Sequence, residues 1–249
     1  MKKIGIIGGT GLEKPEILQN PQIIRQATPF GRTSSELKSG QINGTEVVLL
    51  SRHGEEHTIP PSKVNNQANI FALKKVGCTH IIATTACGSL RENIDRGDLV
   101  FPDQFIDFTR QRPVTFYERF NPGELKHTPM ADPFDQGLRT LLIQKAKEMG
   151  LSFHPSGTVI TIEGPRFSTR AESRLFRMWG ADIINMSLAP EVILANEARI
   201  PYAAIAMSTD FDVWKENAEP FTCGEILEIF SRNVHNVTGL IQAILPEIR

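Results

Sequence analysis

The strongest constraint on this chain is an alternation. Short apolar or β-branched runs are predicted as strands over 3–7, 46–51, 80–84, 99–105, 159–162, 182–185 and 202–207. Between them, apolar residues recur at helical spacing over 62–76, 135–148, 168–179 and 189–198, with a final helix from Cys223 onward. Asn43-Gly44 ahead of the second run is a hairpin signal, and Gly77 supplies a stop after the first helix. Strand and helix taking turns means a mostly parallel sheet covered on both faces. There is no internal repeat, charge block or Ser/Gly linker to divide the 249 residues. The expectation is therefore an α/β fold: a single domain over 1–249 with a central mixed, mostly parallel sheet flanked by helices. The segment 110–133 carries four prolines and little periodicity, and it reads as a long surface excursion of the kind used for lids or subunit contacts.

Charge excludes several functions. Twenty-seven basic residues face 28 acidic ones, a formal charge of -1, so there is no global field for nucleic acid or an anionic membrane, and any anion must be held locally. No run is long and apolar enough to span a bilayer. Residues 1–11 show a basic start and a β-like run rather than a signal peptide, and a cytoplasmic location is the expectation. Cys78, Cys87 and Cys223 are an odd set without close pairing, which reads as reduced thiols, not as a disulfide framework or metal site. Cys87, among small residues behind a buried-looking strand, is a poor nucleophile.

In sheets of this kind, ligands bind beyond the carboxyl ends of the strands, and the polar clusters of this sequence fall there. Gly8-Gly9-Thr10-Gly11 follows the first strand, but Lys14 stands at the third glycine position of the dinucleotide fingerprint, and Pro15 and Pro21 interrupt any crossover helix. A small phosphate nest, with Thr10 as a donor, fits better. His53 and His57 are four apart, yet Gly54 and Pro60-Pro61 argue against a zinc-binding helix. Arg52 beside His53 reads instead as an anion clamp. Thr84 to Ser89 adds hydroxyls at a third strand end. Glu163-Gly-Pro-Arg-Phe167 precedes a cap-like Ser168, and Phe167 suits equally a flat face for a planar base or a staple into the core. Asn185-Met186-Ser187 offers an amide, a soft apolar side chain and a hydroxyl, a mix suited to a sugar. Asp210 and Asp212, one residue apart beside aromatics, are costly unless partnered. They read as a glycosidase-like pair, as recognition of a purine ring nitrogen and its exocyclic amine, or as a solvated acidic turn.

Taken in register, these six clusters closely resemble the methylthioadenosine phosphorylase branch of the trimeric purine nucleoside phosphorylases, over essentially the whole chain. The resemblance implies phosphorolysis of 5'-methylthioadenosine to adenine and 5-methylthioribose 1-phosphate, without metal or cofactor, inorganic phosphate being a co-substrate. It places phosphate on Thr10, Arg52, His53, Thr85, the Ala86 backbone and Ser187. Ribose lies against Met186, and the purine meets Phe167, Asp210 and Asp212, with Asp210 as the catalytic acid. Cys223 and Ile226 match the apolar pocket for the 5'-methylthio group, and His127 matches a position lent to a neighbouring subunit's site. A homotrimer is implied, alone or as a dimer of trimers, with a role in purine and methionine salvage. Two departures stand out. Ser187-Leu188-Ala189 replaces the family's Thr-Thr-Val. The sequence ends at Arg249, where some members continue into a tail over an adjacent 5' pocket, a difference that bears on bulkier or hydroxylated 5' groups.

Three other readings compete. A phosphorylase of 6-oxopurine nucleosides or 5'-methylthioinosine would be expected to place Asn in the base site, as the 6-oxo branch does. A regulatory nucleotide binder would need no proton donor such as Asp210. A hydrolase using water would need no anion clamp such as Arg52 and His53.

Overall fold

A computed structural model describes residues 2–9, 17–215 and 223–248, and for 223–230 the backbone alone. Among the described residues, eleven strands form one sheet. They are β1 (Lys3–Gly8), β2 (Gln19–Ile24), β3 (Leu37–Ile42), β4 (Thr45–Ser51), β5 (His80–Ser89), β6 (Leu99–Val100), β7 (Gln104–Phe108), β8 (Phe153–His154), β9 (Thr158–Ile162), β10 (Ile183–Asn185) and β11 (Tyr202–Phe211). The helices are α1 (Asn66–Lys75), α2 (Gln136–Glu148), α3 (Arg170–Met178), α4 (Leu188–Glu197) and α5 (Cys223–Ile244).

The long strand β5 is the hub. Its first half runs parallel to β1, Ile4 to Ile7 pairing with His80 to Ala83. On its other edge it runs parallel to β11 throughout. At its end, Gly88 and Ser89 pair antiparallel with β10. Pairing with β1 thus stops at Ala83 and pairing with β10 starts at Gly88, so on that edge the sheet parts beside residues 84–87. Divergence of neighbouring strands opens a crevice at their ends.

Packing holds this opening in place. Ile70 and Leu73 of α1 and Leu188, Val192 and Leu194 of α4 join one buried cluster on one face of the sheet. Leu138 and Leu142 of α2 and Leu240, Ile241 and Ile244 of α5 join a second. A third cluster, around Phe176 of α3, Ile160, Ile184 and Trp214, lies beneath the end of β10. Three helix starts are satisfied by side chains: Asn65 of α1 accepts from the Ala68 amide, Asp135 of α2 from Leu138, and Thr169 of α3 forms a reciprocal capping box with Glu172.

The departures from the sequence-based elements have physical causes. The run predicted as one strand over 99–105 is two, β6 paired with β11 and β8, and β7 paired with β9. Pro102 lies between them and can donate no ladder hydrogen bond. The strands β2 and β3 were not predicted. β2 is an edge strand with mostly exposed residues and an irregular register around Pro21, and β3 has polar residues at its centre. The Asn43-Gly44 signal is realised: both residues have positive φ, 49° and 78°, between antiparallel β3 and β4. The first helix is shorter than 62–76, beginning at Asn66 after a single 3-10 turn over Pro61–Lys63.

Candidate active site

The parting of the sheet is a cavity of about 330 Å³, within the range that holds small organic ligands. Strand ends supply its walls. Gly9 follows β1, Arg52 and His53 follow β4, Thr85 to Gly88 come from β5, Asn185 ends β10 with Met186 and Ser187 after it, and Thr209 and Asp210 come from the end of β11 with Asp212 just beyond. All the described residues assigned to phosphate, sugar and base therefore share one cavity, His127 excepted. Thr10 lies outside the described residues, as do the side chains of Cys223 and Ile226.

One end is a hydrogen-bonded cradle. Arg52, only 1% exposed, donates from Nη1 to the Thr84 carbonyl at 2.7 Å. The Gly9 amide donates to the Thr84 hydroxyl at 3.2 Å, which ties the end of β1 to β5. Ser187 precedes α4 but gives its side chain no capping role; its hydroxyl lies 3.0 Å from that of Thr85. Asn185 holds the pair, donating to the Thr85 hydroxyl at 3.4 Å while the Thr161 hydroxyl donates to the Asn185 side-chain Oδ1 at 2.8 Å. Nδ1 of His53 lies 2.9 Å from the Ile59 carbonyl. A carbonyl only accepts, so the ring proton sits on Nδ1 and Nε2 keeps its lone pair. Burial, reinforced by the Arg52 charge, lowers the His53 pKa to about 4, so the ring is neutral near pH 7. His57 stacks on it, with ring centres 4.5 Å apart. Among the described residues, no group of three or more His, Cys, Asp or Glu is placed to hold a metal ion.

The opposite end is a carboxylate pair under an aromatic rim. β11 carries a register shift between Ser208 and Asp210, with Thr209 as the extra residue, so that Asp210 aligns with Gly88. Such a bulge re-aims the side chains that follow it. Asp212 is buried, and the Ser168 hydroxyl lies 2.8 and 2.6 Å from its two oxygens. Asp210 accepts from the Thr209 hydroxyl at 2.7 Å. Burial raises the Asp210 pKa; the Thr209 hydrogen bond opposes the rise and the Asp212 charge adds to it. Phe167 is 76% exposed, which decides its reading: it lines the cavity mouth and is no core staple. Cys87 lines the wall as an inert thiol, its pKa raised by burial and by Asp210.

Met186 sits between the two ends, held by a residue that sequence reasoning missed. Arg112, buried at the start of the 110–133 excursion, donates to the Met186 carbonyl at 2.5 Å, to the Glu163 carbonyl, and to the Glu163 carboxylate at 3.2 Å. Gly164 approaches the same methionine so closely that a Cβ there would lie 2.6 Å from its sulfur. Ser168 was also misread. It was expected to cap α3, but Thr169 is the cap. The Thr169-x-x-Glu172 spacing is the signal that could have shown it, leaving Ser168 to serve Asp212. His127 does not line the cavity of its own chain: it is exposed on the excursion, its ring edge-on to Phe120 at 5.8 Å.

A strand-end cavity with buried hydrogen-bond donors at one end and a carboxylate pair under an exposed aromatic at the other defines an α/β protein of the class that binds small ligands beyond the ends of its strands. The chain belongs to the phosphorylase superfamily, whose model matches residues 3–246. Within it, the chain is 50% identical over 248 residues to the S-methyl-5'-thioadenosine phosphorylase of Danio rerio, covering 99% of this chain and 89% of that one. It is also 50% identical over 246 residues to the enzyme of the same name from Thermofilum pendens, at 99% and 92% coverage. A solved structure of a mutant adenosine/methylthioadenosine phosphorylase from Schistosoma mansoni in complex with methylthioadenosine superposes with a TM-score of 0.92, at 41% identity over 99% of this chain and 91% of that chain.

Proposed function

We propose that this chain catalyses the phosphorolysis of 5'-methylthioadenosine to adenine and 5-methylthioribose 1-phosphate. The observation that carries the reading is the polarity of one cavity, with Arg52, His53, Thr85 and Ser187 at one end and Asp210 and Asp212 at the other. Breaking the glycosidic bond leaves positive charge on the sugar and negative charge on the departing purine, so catalysis needs groups that stabilise both as they develop. Inorganic phosphate, held in the cradle by Arg52, Thr85, Ser187 and the Ala86 backbone, with Nε2 of the neutral His53 accepting from a protonated phosphate oxygen, faces the anomeric carbon over Met186. A phosphate oxygen forms the new bond to that carbon as the bond to purine N9 breaks, and Asp210 delivers a proton to N7 of the leaving base. The raised pKa of Asp210 suits it to that donation.

Asp212 selects the base. With Ser168 fixing its oxygens, it accepts from the 6-amino group of adenine, whereas a 6-oxo group would bring acceptor against acceptor. Phe167 covers the flat face of the purine. Neither metal nor other cofactor takes part. The chain acts as one domain over 1–249 in a homotrimer, where the exposed His127 reaches a neighbour's site, and it serves purine and methionine salvage in the cytoplasm. Among the described residues, no helix is long and apolar enough to cross a membrane.

The deciding experiment incubates the purified protein with 5'-methylthioadenosine with and without phosphate and resolves the products by chromatography. Adenine together with a sugar 1-phosphate, formed only when phosphate is present, is the expected result. Adenine with free methylthioribose at a rate indifferent to phosphate means hydrolysis and ends the proposal.

A further inference from the structure

A guanidinium that meets an oxyanion in a fixed plane has to be held from behind, because the arginine side chain carries about 2 kcal/mol of rotamer freedom. Behind Arg52 stands Glu191, in the first turn of α4. Arg52 Nε donates to Glu191 Oε1 at 2.5 Å and Nη2 to Oε2 at 3.0 Å, the two-pronged geometry that fixes orientation as well as distance. Tyr202, which opens β11, donates its hydroxyl to Oε2 at 2.8 Å. Burial and the nearby carboxylate hold that phenol protonated, so it remains a donor. Gly9 completes the seat: a Cβ there would lie 2.7 Å from Arg52 Nη1 and 3.0 Å from the Thr84 carbonyl oxygen, so a larger residue would push the guanidinium aside.

The side chains of Arg52 and Glu191 are 2% and 1% exposed. A buried ion pair gains little stability over apolar residues of similar volume, so fold stability alone gives no reason to set one in the wall of a ligand cavity. We infer that Glu191, seconded by Tyr202, is a positioning residue for the oxyanion end: it fixes the plane of the Arg52 guanidinium and so sets the affinity for inorganic phosphate without touching substrate. The inference rests on the phosphorolysis reading. It requires that damage to Glu191 or Tyr202 fall on phosphate and spare the nucleoside at the far end.

The test measures the KM for phosphate at saturating 5'-methylthioadenosine, and the converse, for the wild type, Glu191→Gln and Tyr202→Phe. Glu191→Gln should raise the phosphate KM about tenfold or more, the scale on which outer-shell partners act, while the nucleoside KM changes less than about twofold. Tyr202→Phe keeps the ion pair and should raise the phosphate KM about threefold to fivefold, as loss of one hydrogen bond implies. Calorimetric titration with inorganic phosphate alone should weaken in the same order. If Glu191→Gln does not fold, Tyr202→Phe decides. Equal changes in both KM values, or an unchanged phosphate KM in folded Tyr202→Phe, overturns the positioning role. A wild-type protein that neither binds phosphate nor needs it overturns the phosphorolysis reading itself.

Discussion

The two ends of the cavity are built on different plans. At the end that holds Arg52, polar groups are tied to other parts of the fold: Arg52 to Glu191 and Thr84, Gly9 to Thr84, Thr85 to Ser187 and Asn185, His53 to Ile59. At the opposite end the carboxyl of Asp210 is half-buried with the adjacent Thr209 hydroxyl beside it, and the rim is an exposed Phe167. On the phosphorolysis reading, the contrast separates two tasks. An oxyanion is recognised by donors fixed in advance, because rigid dipoles cost no reorganisation when charge develops. A leaving base needs a proton at the right moment, so its partner must sit where burial makes the neutral form accessible.

The largest test of that division is Asp210→Asn. If the base end works by proton transfer, kcat should fall about 10²–10⁴-fold, the usual contribution of a general acid, while the KM for phosphate stays near the wild-type value. The sign of the pH dependence follows from the raised pKa: the donating form is present below that pKa, so kcat falls as pH rises through it, and Asp210→Asn should abolish that limb. Steady-state kinetics across pH checks both points, and a full phosphate-KM penalty in this variant would collapse the distinction between the ends.

Arg52→Met examines the opposite plan. Removing the guanidinium strands the buried carboxylate of Glu191, so beyond losing phosphate affinity the protein should lose about 3–5 kcal/mol of stability, read by urea denaturation. A variant as stable as the wild type would mean that the cradle is not tied into the fold as described. The smallest effect is expected at the rim. Phe167→Ala should raise the nucleoside KM by about threefold to tenfold, the worth of an aromatic contact, with no measurable change in stability or phosphate KM, because the ring is exposed.

The same contrast explains what the sequence made legible. Strand–helix alternation and the polar clusters at strand ends placed Arg52, His53, Thr85, Met186, Asp210 and Asp212 in one mouth, because strand direction alone decides which end of a run faces a parallel sheet's crevice. Supporting residues were not legible. Glu191 lies in an apolar stretch of α4 that reads as plain helix, Tyr202 as a strand start, and Arg112 as part of a loop. Their roles arise from contacts between residues far apart in the chain, and periodicity carries no trace of such contacts. Ser168 was hidden by a neighbour, since two adjacent hydroxyl residues stood where only one could cap. The short strands β2, β3 and β8 were missed because edge position and polar content remove the apolar signal that a central strand displays.

The extra residue in β11 gives the carboxylates a freedom that the rest of the strand lacks. Upstream of Thr209, alternate residues are committed to one buried face or the other, Ala204 and Ala206 to one cluster and Ala203, Ile205 and Met207 to the other. A strand has a period of two, but Thr209 is bulged out of the ladder, so Asp210 stands opposite Gly88, where the residue after Ser208 would stand in a regular strand. The facing of Asp210 is therefore set by its register against Gly88 and not by its sequence parity with the core residues upstream. Were Thr209 taken into the ladder instead, Asp210 would move opposite Ser89 and turn to the other face, so here the way the strand accommodates one residue outweighs any change in residue type.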